Sequence, residues 1–200
     1  QGTLPKNVRA IFVTQPEAFG LGHAVLCAKP VVGDEPFGIV LPDDLIWNGQ
    51  GKGALRQMAE LGDEQQAGVI AVEEVPHNET DKYGIVAATA IDERSARIDH
   101  MVEKPKPADA PSNLAVVGRY VLPSRIFQLL EQTAPGAGGE IQLTDAIDAL
   151  LKERGKVLAY RFEGTRFDCG NKAGLVRATM HMAMQDPKLA PTVRAFLSQL

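Results

Sequence analysis

Apolar positions along the first third of the chain fall into short runs separated by stretches with helical spacing. Residues 8–13 carry Val8, Ile11, Phe12 and Val13, β-branched and aromatic side chains that suit a half-buried pleat, and predict a strand. Residues 22–28 predict a helix start with Ala24, Val25, Leu26 and Ala28 on its buried side. Residues 38–41 form a continuous apolar run, as expected of a strand covered on both faces in a parallel sheet. Pro42 ends that run, directly before Asp43 and Asp44. A helix over 54–61 and a strand over 68–72 complete a strand–helix rhythm that predicts βαβ units with right-handed crossovers.

The pattern changes after residue 83. Strands over 83–90, 98–102 and 114–121 are separated by charged turns, which predicts an antiparallel extension folded over the parallel sheet. The proline-rich residues 105–111 cannot continue a ladder and read as a loop. Helices over 124–132 and 143–153, a strand over 157–162, and helices over 172–184 and 192–200 follow. The helix over 143–153 presents Leu143, Ala146, Ile147, Leu150 and Leu151 as one core-facing stripe. With no internal repeat and no linker, the expectation is one α/β domain over 1–200 with a β-rich insertion.

Two hundred residues, 44% hydrophobic and 23% charged, suffice for one substantial core. The formal charge of −4 leaves no basic face to neutralise a nucleic-acid backbone, so nucleic acid is not the expected partner. No run reaches the roughly 20 apolar residues of a membrane span and no signal peptide is recognisable, which predicts a cytoplasmic protein without a membrane partner. The chain opens on Gln1 rather than Met, consistent with a processed or truncated start. The two cysteines, Cys27 and Cys169, have no metal-ligand spacing and read as buried reduced thiols. The four histidines, His23, His77, His100 and His181, are scattered and read as structural or exposed. Any anionic ligand must be held by a few placed cations, backbone N–H groups or a metal.

Several segments could do this. In 19–24, Gly20 and Gly22 join the first predicted strand to a helix, where glycine allows close backbone approach to a ligand or simply a tight turn. Gln15, with an amide donor and a carbonyl acceptor, could read a pyrimidine edge. Asp43 and Asp44 follow a strand, either as Mg²⁺ ligands or as turn residues, and the ligand role suits Asp43 better. Glu103 and Lys104 would point to opposite sides of a continuing strand, a split that suits a hydroxyl-bearing sugar and its phosphate, or a solvated edge turn. Asp168, between a strand and a helix, is a second metal ligand or an N-terminal cap. Gly84, opening a strand after Tyr83, lets backbone amides touch a flat ligand or relieves crowding. The glycines at 136, 138 and 139 lack the ending of a phosphate loop and read as a flexible lead into a helix capped by Thr144 or an earlier residue.

Singly these signals are weak, but their order and wording are not. Residues 20–28 (GLGHAVLCA), 32–36 leading to Leu41-Pro42-Asp43, Tyr83-Gly84 and 102–105 (VEKP) together resemble the bacterial UTP–glucose-1-phosphate uridylyltransferases, or UDP-glucose pyrophosphorylases. The resemblance continues through 110–120, 135–147 and 168–172 (DCGNK), and covers residues 8 to about 184. It implies a Rossmann-like nucleotide-diphospho-sugar transferase α/β fold: a mixed, mainly parallel sheet flanked by helices, with a β-rich sugar-binding insertion. The activity it implies is uridylyl transfer from UTP to glucose 1-phosphate with Mg²⁺, giving UDP-glucose and pyrophosphate. Carried over by residue, Gln15 and Gly20 are similar to the uracil contacts, and Asp43 and Asp168 to the Mg²⁺ ligands. Gly84 and Glu103 are similar to the glucose-binding pair, and Lys104 to the contact with the sugar phosphate. Lys104, Asp43 and Asp168 would thus be the catalytic set.

The resemblance also implies a homo-oligomer, dimer or tetramer, associated through C-terminal helices. The family begins with a strand and a Gly-x-Gly-Thr-Arg loop that cradles the triphosphate. This chain has no equivalent, Gly2-Thr3-Leu4-Pro5 being only superficially similar, so the chain alone is expected to be impaired as a catalyst. A thymidylyl- or adenylyl-transferase of the same fold, or a non-catalytic sugar-nucleotide-binding fragment, is the alternative.

Overall fold

In a computed structural model of the chain, residues 5, 7–153 and 155–199 are described. The elements in chain order are α1 (Gly20–Cys27), α2 (Lys29–Val32), β1 (Phe37–Val40), β2 (Asp44–Trp47), α3 (Ala54–Gln65), β3 (Gly68–Glu74), β4 (Gly84–Ala90), β5 (Ser95–Glu103), β6 (Leu114–Leu122), α4 (Arg125–Gln132), α5 (Leu143–Lys152), β7 (Val157–Tyr160), β8 (Thr165–Asp168), α6 (Lys172–Gln185) and α7 (Ala190–Leu197).

Six strands form one sheet in the order β1-β6-β3-β7-β5-β4. Strand β3 is central because its residues 68–72 are all buried, and the period of two sends them to opposite faces. Ile70 and Val72 join the larger core, closed by Ile126, Phe127 and Leu130 of α4 and by Leu143, Ala146, Ile147 and Leu150 of α5. Val69 and Ala71 face the other way, against Met58 of α3 and Val117 of β6. The stripe expected on α5 is therefore the buried one, except that Leu151 is only half-buried. Val25 is the buried apolar residue of α1; Ala24, Leu26 and Ala28, expected beside it, are half-buried.

The sheet is mixed and flanked by helices, as expected. Strands β1, β3, β4 and β7 run one way and β5 and β6 the other, yet β3–β7 is the parallel pairing and the remaining hydrogen-bonded neighbours are antiparallel. The reason is that β6 returns between β1 and β3, so the crossover through α3 joins two like-directed strands that do not touch. The strands expected as a layer over the sheet, β4 to β6, are part of it. Residues 8–13 form no strand: they carry no ladder among the described residues, and Phe12 is 95% exposed. Likewise β1 is not covered on both faces but alternates half-buried with exposed, pairs on one side with β6, and leaves Val40 52% exposed.

Strands β2 and β8 form a separate antiparallel ribbon, in which Asp44 pairs with Asp168 and Trp47 with Thr165. Helix α6 packs on β8 and on α7. Contact there is close: a Cβ on Gly174 would lie 1.7 Å from the Asp168 carbonyl oxygen. Both cysteines are free and half-buried. No helix among the described residues is long and apolar enough to cross a membrane.

Candidate active site

A cleft of about 410 Å³ opens beyond the ends of β1, β5 and β8. Asp43, Asp168, Gly84, Glu103 and Lys104 all line it. The turn after β1 and the end of β8 are tied together by the Cys169 amide, which donates to the Asp43 carbonyl at 2.7 Å. A Cβ built on Gly170 would lie 3.1 Å from Asp168 Oδ1 and 3.4 Å from Asp43 Oδ2, so the two carboxylates face one small volume. Asp168 does not cap α6. Asn171 does, its Oδ1 accepting from the Gly174 amide at 2.8 Å. The Asp168 oxygens instead accept from the Gly170 amide and from Asn171 Nδ2, each at 3.0 Å, which fixes the carboxylate's orientation and leaves each oxygen a lone pair.

Asp44, the neighbour of Asp43, is turned the other way and buried. Its Oδ2 accepts from the Gly118 amide of β6 at 2.8 Å, and Oδ1 pairs with Arg166 Nε. The Arg166 side chain is 9% exposed and also reaches Glu73 Oε2 at 3.3 Å, with its guanidinium over the Tyr83 ring at 5.6 Å. Burial pulls the Arg166 proton affinity down, but the Asp44 hydrogen bond and charge outweigh it, and the group sits above its ordinary range. Arg119 donates to the carbonyls of Leu41 (3.1 Å), Gly118 (2.8 Å) and Asp44. Here burial prevails, holding Arg119 below its usual value against the opposing charges of Asp44 and Asp43. Asp44 is thus an anchor that fastens the ribbon to the sheet. Tyr120, also on the cleft wall, is buried; desolvation and the charges of Glu103, Asp44 and Asp43 push its phenol well up.

Gly84 and Glu103 are register partners at the ends of β4 and β5. The Thr144 hydroxyl of α5 donates to Glu103 Oε2 at 3.1 Å, so Thr144 lies inside the helix as an orienting group rather than at its start as a cap. A Cβ on Gly84 would meet Thr144 Cγ2 at 3.0 Å and Glu103 Oε2 at 3.2 Å, so only glycine leaves that carboxylate its place. Glu103 and Lys104 do not point to opposite sides. Lys104 adopts the left-handed conformation (φ 45°), which breaks the pleat's alternation, and its amide donates to the Tyr83 carbonyl at 3.0 Å. Both side chains consequently enter the same cleft, with Nζ 3.7 Å from Glu103 Oε1. Glu103 is 19% exposed and Lys104 57%, a largely covered carboxylate beside an exposed cation.

Gln15 and Gly20 sit beside the cleft, where Leu21 and Glu140 form its wall. Gly20, at φ +86°, packs against the Glu140 side chain, and Gln15 Nε2 donates to the Gly20 carbonyl at 3.1 Å. The same nitrogen lies 3.1 Å from His23 Nδ1.

Against families of known proteins, residues 3–185 match the model described as "Nucleotidyl transferase". The chain belongs to that family. A UTP–glucose-1-phosphate uridylyltransferase of Pseudomonas aeruginosa PAO1 is 51% identical over 168 residues, 84% of this chain and 60% of the relative. The solved structure of a UTP-bound UDP-glucose pyrophosphorylase from Acinetobacter baumannii superposes with a TM-score of 0.88 at 45% identity, covering 98% of this chain and 68% of that one. Another, a UDP-glucose pyrophosphorylase complexed with UDP-glucose, gives 0.82 at 41% identity over 86% of this chain and 65% of its own. The chain spans about three fifths of the length of the Pseudomonas relative.

Within this family fold, the residues that sequence reasoning missed are those that hold other residues. Arg119 and Thr144 stand inside the resembling runs, Thr144 read there as a helix cap, and Arg166 stands outside them; the partner that each holds shows only once the chain is folded. Asp44 could be separated from Asp43 only by its partners. Residues 1–4, with the Gly-Thr pair similar to a phosphate loop, lie outside the described residues.

Proposed function

We propose that this cleft serves nucleotidyl transfer: a uridylyl group passes from UTP to glucose 1-phosphate, giving UDP-glucose and pyrophosphate. The observation that carries the reading is the meeting, in one cleft, of the Asp43 and Asp168 carboxylates with Glu103 and Lys104. The names of the relatives, one solved with UTP and one with UDP-glucose, support it. In the reaction a phosphate oxygen of glucose 1-phosphate forms a bond to the α-phosphorus of UTP. The α–β bridging bond breaks, and its electron pair leaves with pyrophosphate.

Such transfers rest on alignment and on charge stabilisation. Lys104 grips the sugar phosphate, a charge-assisted contact worth about 1.5–3 kcal/mol. Glu103, oriented by Thr144, accepts hydrogen bonds from sugar hydroxyls beside Gly84. Gln15 and Gly20 hold the base. The donor set also fits a hard divalent cation, since two carboxylates share one volume. Mg²⁺ is bound in this way, by one or two carboxylates with phosphate oxygens completing the shell. Asp43 and Asp168 would hold it, and it would supply neutralisation of phosphate charge.

Self-association through α6 and α7, where Leu175, Val176, Leu189 and Phe196 are exposed, belongs to the same reading. Light scattering measures it; a monomer at working concentration removes that part.

The test is pyrophosphate release from UTP and glucose 1-phosphate with Mg²⁺, alongside calorimetric titration with UDP-glucose. Release with uridine selectivity is expected from the chain joined to the family's Gly-x-Gly-Thr-Arg segment, and weaker release from this chain alone. Binding without release would mark a sugar-nucleotide-binding role, and neither binding nor release would overturn the reading.

A further inference from the structure

We infer that Arg119 is a positioning residue for the cation site: its guanidinium holds the turn that carries Asp43, and so sets how well the two carboxylates match the ion. This rests on the reading of Asp43 and Asp168 as the cation's ligands. Gly118 and Tyr120, the neighbours of Arg119 on β6, line the cleft, whereas Arg119 does not. The period of two sends its side chain to the other face, with Val117 and Val121. From there the guanidinium reaches the turn after β1. Nη1 donates to the Leu41 carbonyl at 3.1 Å and to the Gly118 carbonyl at 2.8 Å, and Nη2 donates to the Asp44 carbonyl. Leu41 and Asp44 bracket the Pro42-Asp43 step, so one planar fork of fixed geometry spans both ends of the turn. Asp43's own carbonyl accepts from the Cys169 amide at 2.7 Å, one residue beyond Asp168. Asp43 is thus pinned from β6 on one side and from the second carboxylate's segment on the other.

A small hard cation tolerates little error in where its oxygen ligands stand. Holding the backbone of a ligand therefore contributes to affinity without touching the ion. Two other accounts of Arg119 make different claims. As a mere fastener of the turn to the sheet, it would support the fold and leave the ion alone. As a nearby charge, it would oppose a cation, since Arg119 and the carboxylates of Asp44 and Asp43 feel one another. Removing that charge would then tighten the ion. Positioning predicts the opposite sign.

The test uses the full chain and its Arg119→Lys and Arg119→Met variants, saturated with UDP-glucose and titrated with Mn²⁺. Electron paramagnetic resonance reads the free ion. Lysine keeps the charge and loses the fork; methionine loses both. Each variant is expected to bind Mn²⁺ about tenfold more weakly than the wild type, the low end of what the partners of metal ligands contribute. Each is also expected to bind UDP-glucose in EDTA as the wild type does, by calorimetry. If methionine unfolds the chain, the lysine variant decides alone. Unchanged Mn²⁺ affinity in Arg119→Lys, tighter Mn²⁺ in Arg119→Met, or a parallel loss of UDP-glucose and Mn²⁺ overturns the inference. A wild type that binds UDP-glucose but no Mn²⁺ overturns the cation reading beneath it. One that binds neither overturns the uridylyltransferase reading itself.

Discussion

Lys104 and Glu103 are neighbours in the chain and in the cleft, which extended backbone would have forbidden. One residue at φ 45° makes the difference. An L-residue in that region costs on the order of 1 kcal/mol, and the ladder bond from its amide to the Tyr83 carbonyl helps to hold it there. The proposed roles at this scale can be separated by measurement. In the chain joined to the family's Gly-x-Gly-Thr-Arg segment, Asp43→Asn and Asp168→Asn should each slow pyrophosphate release by at least about a hundredfold, about 2.7 kcal/mol of barrier; near-wild-type rates in both would remove the metal assignment. Thr144→Val should weaken UDP-glucose by about 1 kcal/mol through a loosened Glu103 while leaving UDP unaffected, as calorimetry with the two ligands would report. Equal loss for both would mean that Thr144 does not act through the sugar. Asp43, Gly84, Glu103, Lys104 and Asp168 were legible in the sequence because each stands where a strand ends or begins, and the structure brings those five into one cleft. Thr144 and Arg166 were not, since what they do depends on a partner 41 and 122 positions away.

At the scale of elements, the buried stripe of α5 and the apolar run of β3 were readable because periodicity survives without tertiary knowledge. The ribbon of β2 and β8 was harder to see. Its strands have four residues each, too few for a pattern, and its half-buried residues take their cover from α6. The Arg166–Asp44 pair, both side chains about nine-tenths buried, ties β8 to β2, and the same two groups reach the sheet at Glu73 of β3 and the Gly118 amide of β6. Arg166→Met should therefore cost about 3–5 kcal/mol, because it strands a buried carboxylate. The Lys152–Asp148 pair on α5, with an exposed lysine and a half-buried aspartate, provides the contrast, with Lys152→Ala expected below about 1 kcal/mol. Urea midpoints for the two variants decide it, and equal shifts would mean that the buried pair carries no special weight.

Over the whole molecule, the misread segments share one cause. Residues 8–13 and β1 have strand composition, but composition states only that a segment would suit a ladder, not that a partner stands beside it. The outcome is an apolar stretch and a sheet edge that both meet water: Ile11, Phe12 and Val40 are each more than half exposed. Unpaired edges of this kind recruit other strands. Val40→Lys should accordingly lower concentration-dependent association by light scattering without changing the melting temperature by more than a few degrees; unaltered association would place the sticky surface elsewhere.

The aspartates proposed for the cation stand 125 positions apart, and what gauges their separation is a ribbon of four residue pairs. Side chains on a pleat swap faces with every step along it. Were β8 to slide by a single position against β2, Asp168 would turn its carboxylate away and a neighbour would stand in its place. The spacing of the two acids is in this sense a count of backbone bonds, and the short ladder acts as the molecule's ruler.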